Sequence, residues 1–181
     1  MSFSAGSTLA LLLAIAIHSG MSVPLTHLRS ARGTVHYIHP PNVVLDLRLE
    51  SGKTNRIPLS YEEIGQQRRG EIWDATVLAE DPGHFVIFTD RFSSNANIQG
   101  ECGANTDGER YLHVISLTPP MRETLSLNID SCYRSISTVG GYPKYDPALH
   151  ILLIKTEHEN PSDMSETRYR IASNGSVEAI H

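Results

Sequence analysis

Cys102 and Cys132 are the only cysteines in the chain, and they stand 30 positions apart. No Cys-x-x-Cys spacing marks them as a redox pair, so they read as one structural disulfide. By loop closure such a bond contributes about 3–4 kcal/mol. It would staple the polar stretch 90–109 (DRFSSNANIQGECGANTDGE) to an alternating strand that ends at Cys132. Loops longer than about 12–15 residues are uncommon unless they carry function or are disordered. Tied down in this way, the stretch is the best candidate binding element. Asp90, Asn95, Asn97, Asp107 and Glu109 offer the oxygen ligands that calcium takes, but their spacing does not follow the EF-hand pattern. The reading adopted is a protein-contact loop carrying Asp90, Asn95, Asn97 and Asp107.

Tyr142 and Tyr145, in Gly140-Gly141-Tyr142-Pro143-Lys144-Tyr145, form a second candidate contact element. Exposed tyrosines on glycine-rich loops are favoured contact residues. The same pair could instead cover one end of the core. Nine histidines invite a metal reading. His84, His113 and His150 each lie in or beside an apolar strand, but none is part of a pair with zinc-ligand spacing. No metal ligand set and no cofactor is assigned. There is no Gly-x-Ser-x-Gly, no His-Glu-x-x-His, no phosphate-binding glycine loop and no dinucleotide fingerprint. Whether the chain is an enzyme stays open, and the reading leans towards none.

The N-terminal segment sets the compartment. Leu9 to Ile17 (LALLLAIAI) is a short apolar run, followed by small and polar residues up to Ser22. Residues 1–22 read as a secretory signal peptide, and 23–181 as a single β-rich domain. The run is shorter than the roughly 20 apolar residues a membrane helix needs. An exported chain meets an oxidising environment, which suits the disulfide. The net charge is −5, and 1–22 hold none of it. A mildly acidic chain without clustered Lys and Arg is a poor nucleic-acid binder.

The elements that must position these residues read mostly as strands. Val43 to Leu49 alternates, with Leu45, Leu47 and Leu49 on one face; Thr54 to Leu59 returns, so 43–59 is a hairpin. Ser60 to Arg69 reads as one short helix, capped by Ser60 with Glu62 and Glu63 in its first turn. Ile72 to Leu78 and His84 to Thr89 flank the turn Glu80-Asp81-Pro82-Gly83. Arg110 to Leu117 follows the polar stretch. Thr124 to Cys132 alternates Leu125, Leu127 and Ile129 against Ser126, Asn128 and Asp130. Thr138 to Pro147 reads as a loop, and His150 to Thr156 as the most apolar, central strand. Asn174-Gly175 between two strands is a strong hairpin signal. The fold class expected is mainly β: an antiparallel sandwich, barrel or strongly bent sheet with one short helix.

Cys102-Gly103-Ala104, the strand core Tyr111-Leu112-His113-Val114 and then Ser131-Cys132 resemble a segment of bacterial periplasmic proteins of unassigned role. That resemblance implies an envelope location and a disulfide, and carries over no catalytic or ligand residue. The function expected is a periplasmic or secreted protein-binding module, immunity- or inhibitor-like, whose partner is another protein. The alternatives are a small exported hydrolase, signalled by a pocket holding His113 or His150 beside a carboxylate, and a structural subunit of an envelope complex, signalled by an open edge or a large apolar patch.

Overall fold

Short apolar runs punctuated by Gly, Pro, Asn and Asp give hairpin after hairpin. The structure is a computed structural model describing residues 22–25, 31–39, 42–62, 72–92, 108–132, 134–158 and 163–180. Within them the chain forms thirteen strands and no helix. Ser22–Leu25 (β1), Ala31–His39 (β2), Asn42–Leu49 (β3) and Thr54–Leu59 (β4) make a first antiparallel sheet in chain order. Ile72–Asp81 (β5), Phe85–Phe92 (β6), Glu109–Ser116 (β7) and Arg122–Asp130 (β8) make a second in the same manner. The third holds Lys144–Asp146 (β10), Ile151–His158 (β11), Met164–Ile171 (β12) and Val177–Ile180 (β13), with Ile136–Thr138 (β9) also paired to β11. No helix among the described residues is long and apolar enough to cross a membrane.

The second sheet lies between the other two. Val86, Phe88, Phe92, Tyr111 and Ile115 pack on Val35, Leu45, Leu47 and Ile57 of the first sheet. Phe85, Ile87, Leu112, Val114 and Ile129 pack on Leu152, Ile154 and Ile171 of the third. Both faces of β6 and β7 are therefore covered, which is why these strands read as nearly continuous apolar runs and not as alternation.

The 43–59 hairpin forms as β3 and β4, and a mainly β, antiparallel chain is what the structure has. The finer expectations fare differently. No sheet closes into a barrel. The short helix expected over Ser60 to Arg69 falls mostly outside the described residues, which resume at 72; of it only Ser60 to Glu62 is described, and that piece is irregular. The Ser60 N–H donates to Glu123 Oε2 at 2.7 Å, and its carbonyl accepts from Ser126 Oγ. The loop expected over 138–147 contains β10 and adjoins β9. These two three-residue strands share one edge of β11, interrupted between Val139 and Pro143. β11 is interior to the third sheet, but the strands buried on both faces are β6 and β7. Residues 1–21, the body of the expected signal peptide, lie outside the described residues.

The Asn174-Gly175 turn joins β12 to β13 and plugs into the second sheet. Ser116 Oγ donates to the Asn174 carbonyl, and Thr124 Oγ1 to that of Gly175, each at 2.7 Å. Gly175 has φ +76, and a Cβ there would stand 2.8 Å from Ser116 Cα. Gly52 has φ +81 with nothing within 4 Å. In chemical denaturation Gly175→Ala is expected to lose about 2–4 kcal/mol, against about 1 kcal/mol for Gly52→Ala, which meets backbone strain alone. Equal losses would show that the turn is not seated as described.

Candidate functional site

A charged or polar side chain inside an apolar strand must bring its own partner. Asp90 in β6 and His113 in β7 are such residues. They point to the face covered by the first sheet, because β6 pairs β7 with Phe88 opposite His113 and Asp90 opposite Tyr111. Glu123 of β8 reaches the same face through a bulge. Val114 pairs Leu125 but Ile115 pairs Glu123, so Thr124 is the extra residue. Without it, alternation would turn Glu123 to the opposite face with Leu125.

The result is an imidazole held between two carboxyl groups. Nδ1 of His113 lies 2.6 Å from Glu123 Oε1, and Nε2 lies 3.2 Å from Asp90 Oδ1. The first contact is a hydrogen bond. The second is an ion pair by distance, with neither Nε2 nor Oδ1 in good hydrogen-bond alignment. Tyr61, just after β4, donates its hydroxyl to Asp90 Oδ2. Rings close the rest: Phe88 stacks on the imidazole at 4.9 Å, and Tyr61 meets it edge-on at 5.1 Å. His113 is 0% exposed and Asp90 1%. Burial pushes the imidazole pKa down, but the close negative charge of Asp90 and the hydrogen bond and charge of Glu123 more than offset it and hold it at about 9. At neutral pH both ring nitrogens therefore carry protons, and the ring has no lone pair with which to act as a base.

The other expected site residues are dispersed. Asp90 belongs to β6 and not to a loop, and it is buried in the cluster just described. Asn95, Asn97, Cys102 and Asp107 lie outside the described residues. Cys132 follows β8, half-buried. Tyr142 is half-buried, with the Lys144 and Lys155 ammonium groups 4.7 and 5.2 Å from its ring centroid. Tyr145 faces the core, edge-on to Phe85 at 5.7 Å, with its hydroxyl 3.1 Å from His150 Nδ1. His84 and His150 are exposed in turns, apart from His113. Among the described residues no three His, Cys, Asp or Glu are placed to hold a metal ion. In the His113 cluster the ring stands between the carboxyl groups, so the three do not surround a common point.

Sequence reasoning missed Tyr61 and Glu123. Neither has a telling spacing to His113. The available signal was a polar residue within each of two apolar strands.

Family models, curated proteins and solved structures offer no match to this chain. Function must therefore be argued from geometry.

The His113 pKa is raised on folding, so its stabilisation is complete below the unfolded value near 6.5 and is lost as pH rises through about 9. The unfolding free energy is expected to drop by on the order of 3 kcal/mol across that window. In His113→Gln this drop should vanish, leaving a flatter and lower profile. An unchanged slope in that variant would remove His113 as the titrating group.

Proposed function

We propose that this chain is an exported protein-binding module, acting in the periplasm or outside the cell and blocking a partner protein's surface without catalysis of its own. The observation that carries this reading is the burial of the His113 cluster. It gathers the residue types of acid–base catalysis, yet its imidazole has no exposed surface and lies in the core between two sheets, whereas the other His–carboxylate contact among the described residues, His84 Nδ1 to Asp81 Oδ2 at 3.1 Å, lies across an exposed turn. A catalytic base must reach the proton it removes. This one is sealed and already protonated, and its partners seat the Ser60–Tyr61 segment.

The hydrolase alternative called for a pocket holding His113 or His150 beside a carboxylate. His113 has the carboxylates without the pocket, and His150 is exposed with a tyrosine hydroxyl as neighbour. The envelope-subunit alternative called for an open edge or a large apolar patch. Leu78, Leu149 and Met164 are the large exposed apolar side chains among the described residues, and they sit on three different elements. The proposed contact surface comprises the 93–107 segment, which holds Asn95, Asn97 and Asp107, together with Tyr142. The proposal includes the signal peptide over 1–22 and the Cys102–Cys132 disulfide; no free cysteine stands among the described residues.

The purified oxidised protein, immobilised and exposed to envelope and secreted fractions, is expected to retain one stoichiometric protein. Tyr142→Ala should weaken that complex and lower the melting temperature by no more than about 4 °C, because a cation–π contact near the surface contributes about 0.5–1 kcal/mol. Tyr145→Ala should instead lower the melting temperature, since its ring packs on Phe85. Retention of no partner by a correctly folded, oxidised sample would overturn the reading.

A further inference from the structure

The opposite face of the second sheet carries a different polar cluster, at the end of β6, β7 and β8. Arg91 stands directly across from Arg110, and Arg110 from Asp130. Two like charges facing each other across strands repel unless something between them is negative. A second β8 bulge supplies that. Arg110 pairs Asp130 while Tyr111 pairs Asn128, so Ile129 is the extra residue and Asp130 turns to the arginine face. Its Oδ2 lies 3.6 Å from Arg91 and 3.5 Å from Arg110. Asp130 Oδ1 is occupied by the Thr138 N–H. One carboxylate thus serves two guanidinium groups, at distances well beyond the roughly 2.7–2.9 Å of a strong charge-assisted hydrogen bond. Asp74 is across from Arg91 on β5, but it is exposed and accepts from Thr76 Oγ1 at 3.4 Å.

These groups line a cleft of about 430 Å³, walled on its far side by Ser135, Ser137 and Thr138 of the β8–β9 hairpin. The arginines are part-exposed, 38% and 27% at the side chain, and line the cleft; besides Asp130, Arg110 reaches Thr89 Oγ1 through Nη2, at a long 3.5 Å. A guanidinium carries five N–H donors in all, in a planar fork that matches an oxyanion, so the contacts to Asp130 and Thr89 leave donors to spare. We infer that this cleft binds a single oxyanion group, a carboxylate or a phosphate, held between Arg91 and Arg110 with Asp130 as the internal competitor it displaces. The inference is independent of the protein-binding reading.

The test is a heteronuclear NMR titration of the oxidised protein with inorganic phosphate and, separately, N-acetylglutamate. Saturable shifts centred on the Ser137 and Thr138 amides are expected. Tighter binding of phosphate would assign a phosphoryl source for the natural ligand, and tighter binding of N-acetylglutamate a carboxylate source. Arg91→Gln and Arg110→Gln should each weaken binding by roughly tenfold or more, the loss of a hydrogen bond to a charged group. Arg168→Gln, on the exposed face of the third sheet, should leave it unchanged. Asp130→Asn should strengthen binding, an outcome that misfolding cannot produce. Shifts that never saturate, or equal losses in Arg168→Gln and Arg110→Gln, or weakening in Asp130→Asn, would overturn the assignment.

Discussion

β6 and β7 have protein on both faces, and this double burial governs the architecture around them. Polar groups on these two strands must be satisfied from within, because an unmade hydrogen bond in such a place costs more than a made one contributes. On one face, Asp90 and His113 draw in Tyr61 and Glu123. On the other, Ser116 draws in the Asn174-Gly175 turn. The apolar residues supply most of the driving force for stacking three sheets. The polar ones decide how they stack, since each outer sheet is pinned to the middle one by specific hydrogen bonds and not by area alone.

β8 is the strand that makes this possible. It is one of the two edge strands of the middle sheet and carries two bulges, at Thr124 and Ile129. Each adds one residue and so reverses the face on which the next carboxylate emerges. The first sends Glu123 to His113, into the sealed interface with the first sheet. The second sends Asp130 to Arg110 and Arg91, beside an open cleft. The same local device thus yields two unlike electrostatic environments about one strand length apart. One fixes a buried cation in place; the other leaves two cations under-neutralised at the surface.

Much of the fold was legible because it rests on period and punctuation. The leucines of β3, the turn at Glu80 to Gly83 and the Asn174-Gly175 hairpin all declared themselves. What escaped has physical reasons. β9 and β10 have three residues each, too few to show a period. The Ser60 backbone bonds to Glu123 and Ser126, residues more than 60 positions away, which no local pattern announces. Alternation placed Asp130 with Ser126 and Asn128, opposite Leu127 and Ile129; the bulge at Ile129 reverses it. Bulges leave no mark in a polar/apolar pattern, so neither cluster that depends on one could be assembled from spacing. The polar composition of 90–109 suggests a loop throughout, whereas its ends, up to Phe92 and from Glu109, continue β6 and begin β7.

The seating of the outer sheets also has a kinetic side. The bonds that fix Ser60 join residues 63 and 66 positions apart, and those that fix the Asn174-Gly175 turn join residues 58 and 51 apart. Loop-closure entropy must be met before such contacts give any return, which places a chain of this kind among folders with roughly millisecond-to-second times. Until both outer layers dock, β6 and β7 present two bare apolar faces, and neighbouring chains compete for them. The hazard for this protein therefore lies in the interval before its layers close. The arrangement that makes the native middle sheet so well protected is the one that leaves its precursor most open to aggregation.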